Sequence, residues 1–282
     1  VRLHGLAERP GGIGANGHAC WGYDTLDGDF TDAAVPFLQE GIELGQRLTF
    51  VGGPEAEQAV RELEPMKSLV DDGTLQVLPF DAIYPGGRRM SNQDQWALYS
   101  GATDQAMADG FTGLRVLAEV TSLAGPMEEW LHQAEWESYA DRRMATRQLA
   151  ALCCFDRAKT GDDALAVIAS AHPVVDRRLR SLVPFQLYAD DGVIGLAGEV
   201  DSASSELFEQ LLRIDDGSDA NLVLDLSDLT FIDHHGVVAV QGFADRLRTA
   251  GRSLIIRDEP EVFGRLTELL GVDLASMPPA WE

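Results

Sequence analysis

The chain has 282 residues, 45% of them hydrophobic and 24% charged, so it has the make-up of a folded protein with one large domain or two ordinary ones and not of a disordered segment. Its 22 Lys and Arg face 46 Asp and Glu, a formal charge of −24. That charge repels phosphate backbones and anionic lipid at long range, so neither nucleic acid nor a membrane surface is expected as a partner.

No run reaches the roughly 20 apolar residues that span a bilayer. The opening residues lack a basic, then apolar, then small-residue signal pattern. The three Cys are Cys20, Cys153 and Cys154. An odd count with two adjacent is no disulfide framework, and the expected location is the reducing cytoplasm.

Residues 1–13 read as an N-terminal lead, because Gly11-Gly12-Ile13-Gly14 lacks the preceding strand that a dinucleotide loop needs. His18–Tyr23 is a short extended run, and Thr31–Leu44 a helix with Phe37, Leu38, Ile42 and Leu44 on its apolar face. Arg47–Val51 is a strand stopped by Gly52-Gly53-Pro54. Pro54 opens a helix over Glu55–Val70, with Pro65 placed to kink it. Strand Thr74–Leu78, helix Gln93–Asp109, strand Leu114–Val120 and the long charged helix Met127–Arg147 follow. Leu149–Phe155 reads as a strand, which keeps the alternation regular, and Asp162–Ala171 as a helix. The alternation predicts a parallel sheet with helices on its faces, an α/β domain over 14–175.

Residues 172–183 hold Pro173, Arg177, Arg178 and Arg180 with no period, and 176–183 reads as the linker. A second α/β unit covers 184–276, ahead of a tail at 277–282. Its strands are Pro184–Tyr188 and Val193–Glu199 about a turn at Asp190-Asp191-Gly192, then Asn221–Leu226 and Ser253–Arg257. Its helices are Ser204–Leu212, Gly236–Ala250 and Glu261–Leu270, the last two ended by Gly251 and Gly271.

The run Leu222-Val-Leu-Asp-Leu-Ser-Asp-Leu-Thr-Phe-Ile-Asp-His-His-Gly236 is a buried strand, a second apolar step and a tight entry into a helix. Asp233, His234 and His235 sit at the helix start, where free N–H groups and the dipole favour an anion. Together with Gly195-Leu-Ala-Gly-Glu-Val-Asp201 the segment resembles the STAS domain of anti-sigma-factor antagonists, with Gly198, Glu199, Asp201, Asp225, Asp233 and Gly236 matching. The resemblance implies protein partners: an anti-sigma factor, a kinase-like switch protein or other STAS chains, met through Asp233, His234, His235 and Gly236. Regulatory members carry Asp-Ser-Ser-Gly there, with a Ser that an anti-sigma kinase phosphorylates. His234 and His235 occupy both Ser positions, so the phosphoserine switch is expected to be absent. The pair is expected to cap and pack the helix start, since neighbouring side chains on a helix diverge too far for shared chemistry.

Gly17-His-Ala-Cys-Trp-Gly-Tyr-Asp24, Phe37-Leu-Gln-Glu-Gly-Ile-Glu-Leu-Gly-Gln46, Leu114-Arg-Val-Leu-Ala-Glu119, Leu152-Cys-Cys-Phe-Asp156 and His172-Pro173 occur in this order. Together they resemble the MEDS domain, a sensory module of methylotroph and methanogen regulators that looks like a KaiC/RecA-type ATPase stripped of its machinery. The resemblance implies a RecA/KaiC-like sheet and the sensing of small hydrocarbon derivatives. A phosphate loop needs Gly-x-x-x-x-Gly-Lys-Ser/Thr. The stretch His18–Asp29 has no Lys and carries Asp24, Asp27 and Asp29, and Glu119 alone makes no magnesium site. ATP hydrolysis, a catalytic residue and a cofactor are therefore not expected.

On an open α/β sheet ligands sit beyond the carboxyl ends of the strands. The expected ligand pocket is His18, Cys20, Tyr23, Asp24, Glu119, Cys153 and Asp156, with Trp21, Trp96, Trp130 and Trp136 as lining or core. His18 and Cys20, two apart on a strand, share a face. In RecA-like folds the first and last sheet motifs are adjacent, which brings Cys153 to them. One alternative is a metal or redox sensor, in which Cys153 or Cys154 and His172 complete a zinc-type set with His18 and Cys20. Against it, buried free Cys commonly serves as a small apolar residue. A second alternative is an enzyme using Glu119, Asp24 or Cys153. The primary expectation is a regulator that binds a small molecule in the first domain and signals through the second, as a monomer or homo-oligomer.

Overall fold

A computed structural model describes residues 2–84, 90–190, 192–214, 221–272 and 274. Seven strands form the first sheet: β1 (Gly5–Ala7), β2 (His18–Tyr23), β3 (Arg47–Gly52), β4 (Leu75–Pro79), β5 (Leu114–Glu119), β6 (Leu149–Asp156) and β7 (Val174–Asp176), in the order β1-β7-β2-β6-β5-β3-β4. All pairings are parallel. Parallel strands need crossovers, here α1 (Thr31–Glu43), α2 (Pro54–Glu62), α3 (Met66–Asp71), α4 (Phe80–Ile83), α5 (Asn92–Ala108), α6 (Met127–Met144), α7 (Arg157–Thr160) and α8 (Asp162–Ala169).

The two-residue period of the strands sorts the core into two layers. Ala19, Trp21, Leu48, Phe50, Leu117, Leu152 and Cys154 face α1, α2 and α3. Cys20, Val116, Ala118, Leu149, Cys153 and Val175 face α5, α6 and α8.

Three boundaries differ from the sequence expectation. The lead 1–13 contains β1, which pairs with β7 in the register Gly5↔Val174. The stretch read as period-free is ordered as well: β7 pairs Ala19↔Val174 with β2, and Leu179, in the supposed linker 176–183, is fully buried in a helical turn. Both strands are three residues long, too short to show a period. The helix expected over Glu55–Val70 is two, because Pro65 removes a backbone donor and ends the first.

The second unit pairs β8 (Phe185–Asp190) antiparallel to β9 (Val193–Val200), which lies parallel to β10 (Leu222–Asp225) and β11 (Leu229–Ile232). Next to β10 runs β12 (Leu254–Arg257), and α9 (Ser205–Leu212), α10 (His234–Thr249) and α11 (Glu261–Leu270) complete a smaller α/β domain. Asp191 of the expected turn and the tail 277–282 lie outside the described residues.

The two domains share an interior. Ala134 and Ala171 belong to the apolar core of the second. Leu187 N donates to Ser170 O at 2.8 Å, and Gln186 Nε2 to His172 O and Pro173 O at 3.0 Å.

On the outer layer a buried ion pair joins two of the motifs. Arg115 lies under α1 with its guanidinium over the Phe37 ring at 4.2 Å and donates to Glu40. Burial lowers the Arg115 pKa to about 10, against the pull of Glu40. The amides of Gly12, Ile13 and Gly14 donate to the same carboxylate at 2.9, 3.2 and 2.8 Å. The Gly-Gly-Ile-Gly segment is thus the anion nest of Glu40 and not a free lead. Gly41 makes room for this, since a Cβ there would lie 2.4 Å from Arg115 Cδ. Replacing Glu40 by Ala strands a buried cation and is expected to remove about 3–5 kcal/mol from the stability measured by urea unfolding. A loss under 1 kcal/mol would mean that water reaches Arg115.

Candidate functional site

The chemistry of the first domain gathers on the inner layer, against one stripe of α6. Gln133, Glu137 and Asp141 recur every four residues and so share a face of that helix. All three are buried. His18 from β2 lies between the two carboxylates, with Nε2 3.2 Å from Glu137 Oε2 and Nδ1 3.3 Å from Asp141 Oδ1. Cys153 of β6 places Sγ 3.7 Å from His18 Nε2 and 3.6 Å from Glu137 Oε2. His172, just before β7, brings Nε2 to 3.5 Å from Glu137 Oε2. The ligand-type atoms of His18, Glu137, Cys153 and His172 all lie within 4.8 Å of one another.

The electrostatics assign different states to the two imidazoles. Burial works to lower the His18 pKa, but the Asp141 and Glu137 carboxylates outweigh it and raise it. Burial and then the charge of His18 lower that of His172 to about 4. His172 is therefore neutral, and its approach to Glu137 is no ion pair. Its Nδ1 faces Ile168 O at 3.0 Å; a carbonyl only accepts, so the proton is on Nδ1 and Nε2 carries a lone pair. That Nε2 is buried without a hydrogen-bond partner. Burial works to raise the pKa of Glu137 and of Asp141. For Glu137 a charged His172 would oppose burial most, but that imidazole is neutral, so His18 and Gln133 are what favour the carboxylate; for Asp141 Arg2, His18 and the Ala189 amide do so.

Above this cluster is a small apolar cavity of about 40 Å³, walled by Tyr84, Trp96, Tyr99, Val116, Trp136 and Met144. Since one water occupies about 10–15 Å³ on such a measure, the space suits a few waters or a very small molecule. Gln133 and Trp136 also line an outer cleft and so stand between it and the cavity.

The expected pocket residues divide into two places. His18 and Cys153 meet in the cluster. Cys20 pairs in register with Cys153 and shares its face, but the converging set holds Glu137 in its place. Cys154 points to the opposite layer. Tyr23, Glu119 and Asp156 stand at the strand ends and satisfy one another. Tyr23 Oη donates to Glu119 Oε1 at 3.1 Å, Thr121 also donates to Glu119, and Asp156 N donates to Thr121 Oγ1 at 2.8 Å. Burial and Glu119 push the Tyr23 phenol well up. Asp156 caps α7.

Arg157 neutralises Asp24 at 3.1 Å, and Arg178 neutralises Asp29 at 3.1 Å. The loop that would hold phosphate is thus filled by its own ion pairs. The cavity lies against the face of the sheet and not beyond its carboxyl ends. Of the tryptophans, Trp96 and Trp136 line it, Trp21 packs in the other layer, and Trp130 donates to Gly125 O at an exposed position. Burial pushes all three thiols well up, which opposes the thiolate that a redox switch or a nucleophile needs.

Asp141 continues the cluster into the second domain. Its Oδ2 accepts the Ala189 N–H of β8 at 2.7 Å, and its Oδ1 accepts from Arg2, which also donates to Ala189 O at 3.0 Å. Next to it, Arg142 donates to Leu211 O at 2.8 Å and to Ile214 O, at the end of α9.

Sequence reasoning missed Glu137 and Asp141 because α6 reads as a solvated charged helix. The usable signal was the four-residue spacing of Gln133, Glu137 and Asp141 beside Ala134, Ala140 and Met144.

In the second domain Asp233, not the His pair, caps α10, accepting from His235 N and Gly236 N at 2.8 and 3.2 Å. His234 and His235 are exposed with rings 3.9 Å apart, which corrects the expectation that they pack. Gly236 is sterically required, because a Cβ would lie 2.6 Å from Ile232 Cγ1.

A family model described as the MEthanogen/methylotroph, DcmR Sensory domain (MEDS) matches residues 17–173, and one described as Mlab, STAS domain matches residues 185–277. No curated protein matches the chain. No helix among the described residues is long and apolar enough to cross a membrane. A sensory domain followed by a STAS domain supports a signalling or regulatory role.

Replacing Asp141 by Ala strands Arg2, His18 and the Ala189 amide together and is expected to lower stability to urea by about 3–5 kcal/mol. Tyr23→Phe removes one hydrogen bond and is expected to lose about 1 kcal/mol. Equal effects would show that the buried line through α6 is not special.

Proposed function

The chain belongs to the MEDS family of sensory domains and carries a STAS domain behind it, and from this we propose a non-catalytic signal-transduction regulator. A small ligand in the cavity beneath α6 changes what the STAS domain offers to a protein partner. The observation that carries the reading is the position of Glu137 and Asp141 one turn apart on α6. The first lies at the floor of the cavity, and the second holds the backbone of β8.

The ligand class follows from the walls: mostly aromatic and aliphatic, with one polar end at His18, Glu137 and Cys153. A small hydrocarbon derivative with a single polar or halogen group suits them. Output runs along the second sheet. Strand β8 pairs with β9, and Val200 O at the end of β9 accepts the Asp233 N–H at 3.0 Å. Asp233, His234, His235 and Gly236 lie there beside exposed Phe231 and Val238, a surface suited to an anti-sigma factor or kinase-like switch protein. The segment Asp233–Gly236 has no hydroxyl, so control comes through β8.

The test is hydrogen exchange on the full chain with dichloromethane, methanol and 1-propanol as probes. At least one is expected to slow exchange in α5 and α6 and also to change it over Phe185–Asp190. A probe that protects α6 and leaves β8 and β9 unmoved would refute the coupling. Incubation with an anti-sigma kinase and ATP is expected to leave Asp233–Gly236 free of phosphate. Steady phosphate release from ATP that vanishes in Glu119→Gln would refute the non-catalytic reading.

A further inference from the structure

We infer that His18, Glu137, Cys153 and His172 form a tetrahedral site for one zinc-type divalent ion. Four atoms bound tetrahedrally at metal distances of about 2.0–2.3 Å lie about 3.3–3.7 Å from one another. Of the six pairwise separations, Cys153 Sγ lies 3.7 Å from His18 Nε2 and 3.6 Å from Glu137 Oε2. His18 Nε2 and His172 Nε2 stand 3.2 and 3.5 Å from the same Glu137 oxygen. With all the donor atoms within 4.8 Å of one another, the side chains converge on one point, and a modest adjustment closes them into a coordination shell.

The hydrogen bonds outside the shell have the arrangement that ligating His requires. Each His gives its far nitrogen to an oxygen, His18 Nδ1 to Asp141 and His172 Nδ1 to Ile168 O, which turns both Nε2 atoms inward. The second, independent observation is the orphaned His172 Nε2, fully buried and with no donor facing it. An imidazole lone pair and a carboxylate oxygen 3.5 Å apart in a dry interior repel each other unless a cation lies between them.

The charges also balance. Binding displaces the Cys153 thiol proton and the His18 Nε2 proton to solvent; a divalent ion with the resulting thiolate, the Glu137 carboxylate and two neutral imidazoles is then neutral, and Asp141 is matched by Arg2. Mixed sulfur, nitrogen and oxygen donors in a tetrahedron favour zinc over magnesium or calcium, which take more oxygens. Glu137 fills the place that sequence spacing gave to Cys20. The ion would form the floor of the proposed sensing cavity, yet ion binding does not require that the cavity take an organic ligand.

The experiment is metal analysis of the untagged full chain, purified from zinc-supplemented cells and again after chelation and reloading with cobalt(II). Stoichiometric zinc is expected, and the cobalt form should show tetrahedral ligand-field bands with a thiolate-to-cobalt charge-transfer band. Cys153→Ser is expected to abolish that band, His172→Ala to lose stoichiometric metal, and Cys20→Ser to keep both. Asp141→Asn, which weakens the support of His18, is expected to lower zinc affinity about 10–100-fold in chelator competition.

Wild-type protein that takes up neither ion, or a cobalt form without the thiolate band, overturns the site; neither result depends on whether a variant folds. Retention of the band in Cys20→Ser separates this set from one built on Cys20, and its loss there overturns the assignment. Zinc-loaded protein whose β8 exchange ignores the organic probes would refute the sensing reading and leave the metal site standing. Metal-free protein that answers the probes would do the reverse.

Discussion

A single buried carboxylate sets the arrangement of this molecule. Asp141 receives Arg2 from the N-terminal arm, His18 from β2 and the Ala189 amide from β8. A lone carboxylate in such a place would cost several kcal/mol in lost hydration, and only a full set of partners makes its burial tolerable. The partners, Arg2 and His18 on one side and Ala189 on the other, lie far from Asp141 in sequence, so satisfying Asp141 ties down both the N-terminal arm and the edge of the STAS domain. The shared apolar interior, in which Ala134 and Ala171 enter the core of the second domain, follows from the same seating.

A matching arrangement on the opposite layer explains motifs that would otherwise suggest nucleotide chemistry. Glu40 and Arg115, both within stretches that resemble the MEDS pattern, hold each other and the Gly-Gly-Ile-Gly segment. At the strand ends, Tyr23, Glu119 and Thr121 are bonded among themselves, and Arg157 and Arg178 cover Asp24 and Asp29. The open end of the sheet, where a RecA-like enzyme would bind phosphates, is closed by side-chain pairs. The small apolar cavity lies instead against the face of the sheet, under α6.

The sequence was legible where period and length were sufficient. Six-residue strands such as β2, β3 and β5 and the eight-residue β6 stand out by their apolar runs. The juxtaposition of His18 with Cys153 followed from strand order. Strands β1 and β7 did not stand out, because three residues carry no period and their partners lie more than a hundred positions away. Glu137 and Asp141 stayed hidden for a different reason. A helix with seven charged residues normally faces water, and beyond the four-residue spacing nothing in the sequence shows that two of its acids face inward. Cys20 has the expected face and the expected neighbour, but the converging donor atoms are those of His18, Glu137, Cys153 and His172.

The small size of the cavity bears on how a signal could leave it. About 40 Å³ holds a few waters or a very small molecule, so any bulkier occupant must push a wall outward. Toward the sheet the walls are strands β5 and β6, paired on both sides and unable to move alone. The yielding walls are α5 and α6. Helix α6 is not free to move by itself, since Asp141 grips β8 and the neighbouring Arg142 grips the carbonyls that end α9. A cation at a helix C-terminus is held by the dipole as well as by its hydrogen bonds. A shift of α6 must therefore either break a buried charge network or carry β8 and α9 with it, and the second costs less. Packed interfaces of this kind switch between discrete arrangements and do not deform continuously, so on the proposed sensing reading a small displacement at the cavity would reach the STAS domain as a change of seating at β8 and α9.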